Sequence, residues 1–469
     1  MSEKSLAQPL RATTTRGALL PLLRRLHFYI GLFIAPFIFV AALTGTIYVL
    51  TPQLENTLYA HQLFTDNTEA ARPLADQVRV AQNFVGAGLP VSAVRPAPEA
   101  GQTTRVMFTT PTSGPSESTA VFVDPATLEV RGVLPVYGTS GVLPLRTWLD
   151  SLHRNMLLGD VGRNYSELAA SWLWVAALGG LLLWATSRSP RRTNGRGWQI
   201  LRQRYWHSSL GLVLLLGLLF FSATGLTWSR WAGDNISALR AHFGWMTPAV
   251  NTSLLPDNPS PMDEHAGHHM APSPRHNMAG MTMPKAAAVA IKPTQFDGVV
   301  QAASAAGIQA GKIEIRPTTK ANKAWIVSEI DRRWPTKVDT VAVDPATFRV
   351  TDKVTFAQYG LLAKLTRWGV DAHMGVLFGL ANQLLLAAFG LGLCVLIVLG
   401  YRLWWLRRPA AQGSHPAETL VYHWRQLGLS ARFLLLVCTV TLAVSLPVMG
   451  ISLLVLLLID ALRWQRAQG

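Results

Sequence analysis

HFYIGLFIAPFIFVAALTG at residues 27–45 and HSSLGLVLLLGLLFFSATG at residues 207–225 state one plan twice. Each opens on a histidine, His27 or His207. Each places a glycine one helical turn later, Gly31 or Gly211, and closes on Thr-Gly at identical spacing, Thr44-Gly45 or Thr224-Gly225. Each copy is followed by a soluble stretch carrying Val-Asp-Pro-Ala-Thr, at residues 123–127 and 343–347. Each soluble stretch ends in a second histidine, His153 or His373, shortly before another apolar run. An imidazole in a bilayer costs free energy unless it is partnered or ligated, so histidines returning at matched places point to a cofactor.

Apolar residues make up 49% of the 469, charged ones 14%, and the apolar ones gather in runs able to cross ~30 Å of hydrocarbon. The chain reads as an integral membrane protein with spans at 28–50, 168–186, 210–228 and 384–405. A further apolar stretch, 433–462, is interrupted by Pro447 and Gly450; it reads as one tilted helix or a kinked, re-entrant one, and a single crossing is the favoured expectation. The first span is too long for a signal-peptide core and has no small-residue cleavage site before Thr51, so it is expected to stay attached.

Arginines set the orientation. Arg11, Arg16, Arg24 and Arg25 precede the first span, and Arg188, Arg191, Arg192, Arg196, Arg202 and Arg204 fill the loop after the second, with no acidic residue there. Arg402, Arg407, Arg408, Arg425 and Arg432 mark the end of the fourth span and the segment after it. By the positive-inside rule these segments are cytoplasmic and both Val-Asp-Pro-Ala-Thr regions lie outside. The net charge of +16 is thus an orientation signal, with no nucleic-acid partner implied. Cys394 and Cys438, the two cysteines, sit inside apolar spans, so the exported regions are expected to lack disulfides.

The expected architecture is an all-α membrane bundle, four core transmembrane helices plus a C-terminal hydrophobic helix, with two periplasmic α+β domains. Its segments are a cytoplasmic N-terminus at 1–26, a first transmembrane helix at 27–50, a periplasmic domain at 51–165 and a second helix at 166–186. An Arg-rich cytoplasmic loop at 187–206 leads to a third helix at 207–229, then a linker and second periplasmic domain at 230–376. A fourth helix at 377–406, a cytoplasmic loop at 407–431 and a C-terminal segment at 432–462 complete it. In the first module, helical periodicity over 73–85 precedes strand alternation at 91–95, 105–109, 120–123 and 128–133. The second repeats the order, with a helix at 295–306 and strands at 312–316, 324–330, 340–343 and 348–354. Asp124 and Asp344 read as hairpin-turn residues.

Four segments, "LHFYIGLFIAPFIFVAALTGTIYVL", "LHRNMLLGDVGRNYSELAASWLWVAALGGLLLW", "YWHSSLGLVLLLGLLFFSATGLTWS" and "DAHMGVLFGLANQLL", together with the helix-strand modules, resemble PepSY-associated transmembrane proteins. The resemblance runs from Arg24 to Arg408 and makes the two external domains PepSY-like. It implies a relation to inner-membrane reductases of ferric siderophores, which carry b-type haem. One departure is Ala177-Leu178-Gly179, where the family tends to have Thr-Gly; it is expected to affect helix packing more than ligation.

The residues support haem beside the family name. Gly31 and Gly211, one turn from His27 and His207, would leave flat space beside each imidazole. His27 and His207 begin outward-running helices; His153 and His373 precede inward-running ones. From His27 to Thr44 a helix rises roughly 25 Å, so the two levels are separate. Two haem b sites are expected, with axial pairs His27/His207 inside and His153/His373 outside, each imidazole partnered on its outer nitrogen. His61 and His242 also fall at similar places in the two copies.

A different chemistry appears in "MDEHAGHHMAPSPRHNMAGMTM", which packs His265, His268, His269 and His276 among Met270, Met278, Met281 and Met283. Imidazole and thioether suit copper, with thioethers favouring Cu(I). There is no dinucleotide fingerprint, no room for a flavin or nicotinamide domain and no Walker sequence. Electrons would come from membrane quinol or a separate cytoplasmic reductase. The reading is a haem oxidoreductase of the bacterial inner membrane, delivering electrons to a periplasmic metal complex, a ferric siderophore. Its rivals are a copper-handling or transport protein built on the His/Met tract, and a non-enzymatic module that binds a partner protein.

Overall fold

The computed structural model describes residues 15–86, 88–111, 114, 116–138, 141–187, 194–255, 289–408 and 419–468. It divides into a helical unit, Met1–Ile47, Ser151–Leu239 and Leu385–Gly469, and a sheet unit, Tyr48–Asp150 and Arg240–Leu384. Four helices are long and apolar enough to cross a membrane: Leu19–Val49, Gly159–Ala185, Leu380–Arg407 and Pro447–Arg466. The protein is a membrane protein, and exposed side chains such as Val213, Leu216 and Phe433 are the apolar surface that lipid covers. Ile30, Ile34, Trp172, Leu214, Leu393 and Leu396 pack inside the helical unit.

Both histidine-bearing helices are distorted within two turns of the histidine. In the first, a π-turn spans Ile30–Ile34, ending just before Pro36. Proline has no N–H for the carbonyl four residues back, Leu32 O, and the Tyr401 hydroxyl donates to that carbonyl instead, at 2.9 Å. In the second copy, helix Arg196–Val213 meets helix Leu215–Thr227 at 58°. The break, Leu214, is the counterpart of Ile34. No proline lies there; the Phe389 ring occupies the space beside Gly217 and stacks on Phe221, with ring centroids 4.7 Å apart.

The C-terminal stretch, expected as one crossing, is two helices, Leu429–Ser445 and Pro447–Arg466, packed against each other. Leu446 is forced out of helical geometry, at φ −125° and ψ 79°, because it precedes a proline. Pro447 then starts the next helix, where a missing N–H costs nothing.

The sheet unit corrects a second expectation. The eight strands are β1 Val91–Arg95, β2 Thr104–Phe108, β3 Glu117–Val123, β4 Val130–Tyr137, β5 Ile313–Arg316, β6 Trp325–Glu329, β7 Thr340–Val343 and β8 Val350–Val354. They lie near their expected places but form one antiparallel sheet, β4-β3-β2-β1-β5-β6-β7-β8, not two domains. β1 and β5 join the halves, with Val94 opposite Ile315. Helices Leu74–Val85 and Gln295–Ala305 cover one face, and Val78, Val94, Phe108, Phe296, Ile315 and Trp325 share a single core. The repeat extends to the turns. Asp124 accepts from the Ala126 and Thr127 amides at 2.8 and 3.1 Å, and Asp344 accepts from the Ala346 amide at 2.9 Å and the Thr347 hydroxyl at 2.7 Å. Leu128 and Phe348, at matching positions, both take left-handed φ, 66° and 56°.

Candidate functional site

His27 and His207 both lie half-buried in the helical unit, within electrostatic range of each other. Each ring rests on a glycine of a neighbouring helix. A Cβ added to Gly400 would lie 3.3 Å from His207 Cε1, and one added to Gly180 would lie 3.3 Å from His27 Cε1. The glycines matter because each bares a carbonyl one turn back. Leu396 O, four residues before Gly400, is 3.1 Å from His207 Nδ1. A carbonyl can only accept, so His207 carries a proton on Nδ1, and in the neutral ring Nε2 is then the free nitrogen. Ala176, four residues before Gly180, has the same relation to His27 and lies beside its ring. His27 Nδ1 is buried without a well-formed hydrogen bond.

His153, on helix Pro144–Asn155, has a third seat of this kind. A Cβ on Gly45 would come within 3.1 Å of His153 Cε1, and Thr44 Oγ1 is 3.1 Å from His153 Nδ1. The Thr44 hydroxyl donates to Val40 O at 2.7 Å, so toward the histidine it accepts, and His153 too keeps its proton on Nδ1. The Tyr165 hydroxyl donates to the His153 carbonyl. In the second copy Thr224 donates to Phe220 O at 2.8 Å, as Thr44 does to Val40. His373 ends helix Leu361–His373 in the sheet unit.

The seats differ from those spacing suggested. Gly31 and Gly211 do not hold the rings: a Cβ at Gly31 would meet nothing within 4 Å, and one at Gly211 only Leu396 Cδ1, at 3.7 Å. Gly179, in the stretch 177–179 expected to matter for helix packing, also lies beside the imidazole: a Cβ there would be 3.7 Å from His27 Nδ1. Gly45 and Thr44 were visible as a repeated motif, without a role.

Two carboxylates inside apolar spans were also passed over, although an acidic residue in such a run is itself a signal. Asp460 is fully buried; it accepts from the Tyr29 hydroxyl and from the Val421 amide, the latter at 3.0 Å. Glu167, equally buried, accepts from the Trp231 and Ala232 amides at 2.9 and 3.2 Å and so caps the helix Trp231–His242. His61 is exposed and spends Nδ1 on Arg131 O at 2.8 Å, a surface bond. His242 packs edge-on against Phe243, with centroids 5.0 Å apart.

The tract holding His265, His268, His269, Met270, His276, Met278, Met281 and Met283 lies outside the described residues. Among the described residues no group of three or more His, Cys, Asp or Glu is placed to hold a metal ion. The arrangement in the helical unit is different in kind: two half-buried imidazoles, each seated on a glycine of a neighbouring helix. The family model described as "PepSY-associated TM region" matches residues 24–407. No curated protein matches the sequence.

Proposed function

Since the chain belongs to the PepSY-associated transmembrane family, we propose that it is an inner-membrane haem protein that passes electrons outward to a periplasmic ferric siderophore. The observation that carries this reading is the seating of His27 and His207. Two half-buried imidazoles from separate helices lie within electrostatic range of each other, and His207 directs Nδ1 at the Leu396 carbonyl, which leaves Nε2 for a ligand. Ligation needs such a nitrogen, and a hydrogen bond on the far side of the ring holds its orientation and raises its basicity.

Haem b held between His27 and His207 would supply a one-electron couple inside the bilayer. The chain's own part is to hold the imidazoles still and dry. Gly180 and Gly400 let each ring approach the neighbouring helix, and Leu396 O takes the Nδ1 proton. Ile30, Trp172 and Leu396 exclude water. His153, with its proton directed at Thr44, is prepared in the same way; its pairing with His373 rests on the sequence repeat. Arginine placement supports a cytoplasmic donor side, where quinol or a separate reductase would deliver electrons. Reduction releases the cargo because Fe(II) holds hard oxygen ligands more weakly than Fe(III) does.

A reduced-minus-oxidised spectrum of the purified full-length protein tests this. Bis-histidine haem bands are expected. Protein that stays colourless after expression with ample haem eliminates the electron-transfer role and leaves the metal-binding and partner-binding readings.

A further inference from the structure

Below the uncovered face of the fused sheet lies a cavity of about 630 Å³, in the range of small-molecule sites. Its roof follows from strand alternation. Val94, Val106, Ile315 and Trp325 point into the core, so Arg95, Arg105, Glu314 and Arg316 point the other way, into the cavity. Its floor includes Glu55 and Arg367 from the helices Thr51–Leu58 and Leu361–His373, with Met374 directly after His373.

The lining holds seven arginines and one lysine against four carboxylates, and the carboxylates are largely spent. Glu314 is shared by Arg95 at 2.5 Å and Arg316 at 2.6 Å. Asp331 holds Arg333 at 2.9 Å. Glu329 accepts from the Gln309 and Ala310 amides, both at 3.0 Å. Burial raises the Glu55 carboxyl against the pull of Arg146 and Arg105, and it accepts from the Arg146 amide at 3.3 Å. Arg332 and Arg367 share one further carboxylate, Asp371, which lies behind the wall.

Three lining cations, Arg105, Lys312 and Arg146, are in no ion pair among the described residues, although Glu55 attracts Arg105 and Asp331 attracts Lys312 at longer range. Arg105 lies directly opposite Arg95 across the β1–β2 ladder, where like charges repel. Burial, then the Arg95 charge, brings Arg105 down to about 10; burial, then the Arg333 charge, lowers Lys312. Arg146 adds a buried Nε with no hydrogen-bond partner. A fold gains little by crowding cations that outnumber the carboxylates around one cavity, whereas an anion entering that space would relieve all three groups.

We propose that this cavity binds an anionic, oxygen-donor ferric chelate, with Arg105, Lys312 and Arg146 supplying the charge that selects it over cationic chelates. The identity of the ligand as a ferric complex rests on the electron-transfer reading above; the preference for anions rests on the cavity alone. The position of Met374 in its floor puts a bound chelate beside the segment carrying His373.

The test is equilibrium dialysis of the full-length protein in detergent against ferric citrate, a cationic ferric trihydroxamate and inorganic phosphate. Saturable ferric citrate binding is expected, at least tenfold tighter than the cationic chelate and not displaced by equimolar phosphate. Arg105→Met and Lys312→Met should each weaken it at least tenfold. Neither residue gives up an ion pair, and methionine keeps most of the aliphatic stem that packs beside Phe122, so both variants should elute as the wild type does, with melting measured alongside. No saturable binding, equal affinity for the cationic chelate, equal affinity in both variants, or displacement by phosphate each overturns the proposal. A haem spectrum from the same preparation separates the two readings: ferric citrate bound to a colourless protein sinks the electron-transfer role and sustains the site, and a haem-loaded protein that binds none does the reverse.

Discussion

Gly400→Val should cost the protein its inner haem while leaving the fold intact. A Cβ at position 400 would sit 3.3 Å from His207 Cε1 and 3.6 Å from His207 Nδ1, against an ordinary carbon contact of about 3.5–4.0 Å. Alanine therefore displaces the ring by a few tenths of an ångström. Valine adds methyls that reach ~1.5 Å further, more than the ring can absorb without turning away. The His207 Nδ1–Leu396 O bond, now 3.1 Å, then passes the ~3.5 Å beyond which little bonding remains. Overpacking of this size costs about 1–3 kcal/mol, and loss of the outer hydrogen bond on a ligating histidine typically weakens binding ~10–100-fold. Haem content by pyridine haemochrome, with size-exclusion elution as the check on folding, should fall to about half of the wild-type value if the outer site stays filled. Gly400→Ala should fall between. A well-folded Gly400→Val protein with full haem content and an unchanged spectrum would refute the argument that this glycine seats the ligand.

Two more expectations concern the fold. Because the C-terminal stretch is a pair of packed helices, reporters placed in the segment before Leu420 and after Arg466 should read out on the same side of the membrane; opposite sides would restore the single crossing. Acid should loosen the junction between β1 and β5. Burial alone would raise the Glu314 carboxyl, but Arg95 and Arg316 outweigh it and hold the carboxyl below its ordinary value. Its contribution is thus present above the unfolded value of about 4.3 and is lost as pH falls through the lower folded one. Denaturation followed by tryptophan emission, with Trp325 in that core, should show wild-type stability dropping below pH ~4.3. Glu314→Gln should be weaker at pH 7 and flatter below it; an identical acid profile in the variant would remove Glu314 from the account.

Most of the strands were legible because alternation is a local property: β1 and β7 coincide with the expected residues, and the others begin or end within a few residues of them. That the two modules share one sheet was not legible. β1 and β5 are far apart in the chain, and their pairing rests on backbone edges that leave no mark in side-chain order. Pro36 announced a disturbance in the first histidine helix, whereas the bend at Leu214 has no proline and lies beside a tight contact of Phe389 with Gly217 and Phe221 that the local sequence does not announce.

The order of residues alone determined that the chain crosses a membrane, that its plan is doubled and which histidines stand at matched places, since hydropathy and repetition are written along the chain. Tertiary structure decided what each histidine rests on. Gly180, Gly400 and Leu396 belong to other helices than the imidazoles they hold, and a proton is directed to one nitrogen by an acceptor that only folding brings within 3.1 Å. It decided the cavity likewise: alternation put arginines on one face, but only the joining of β1 to β5 and the helices beneath made that face the wall of a cavity with an excess of cations.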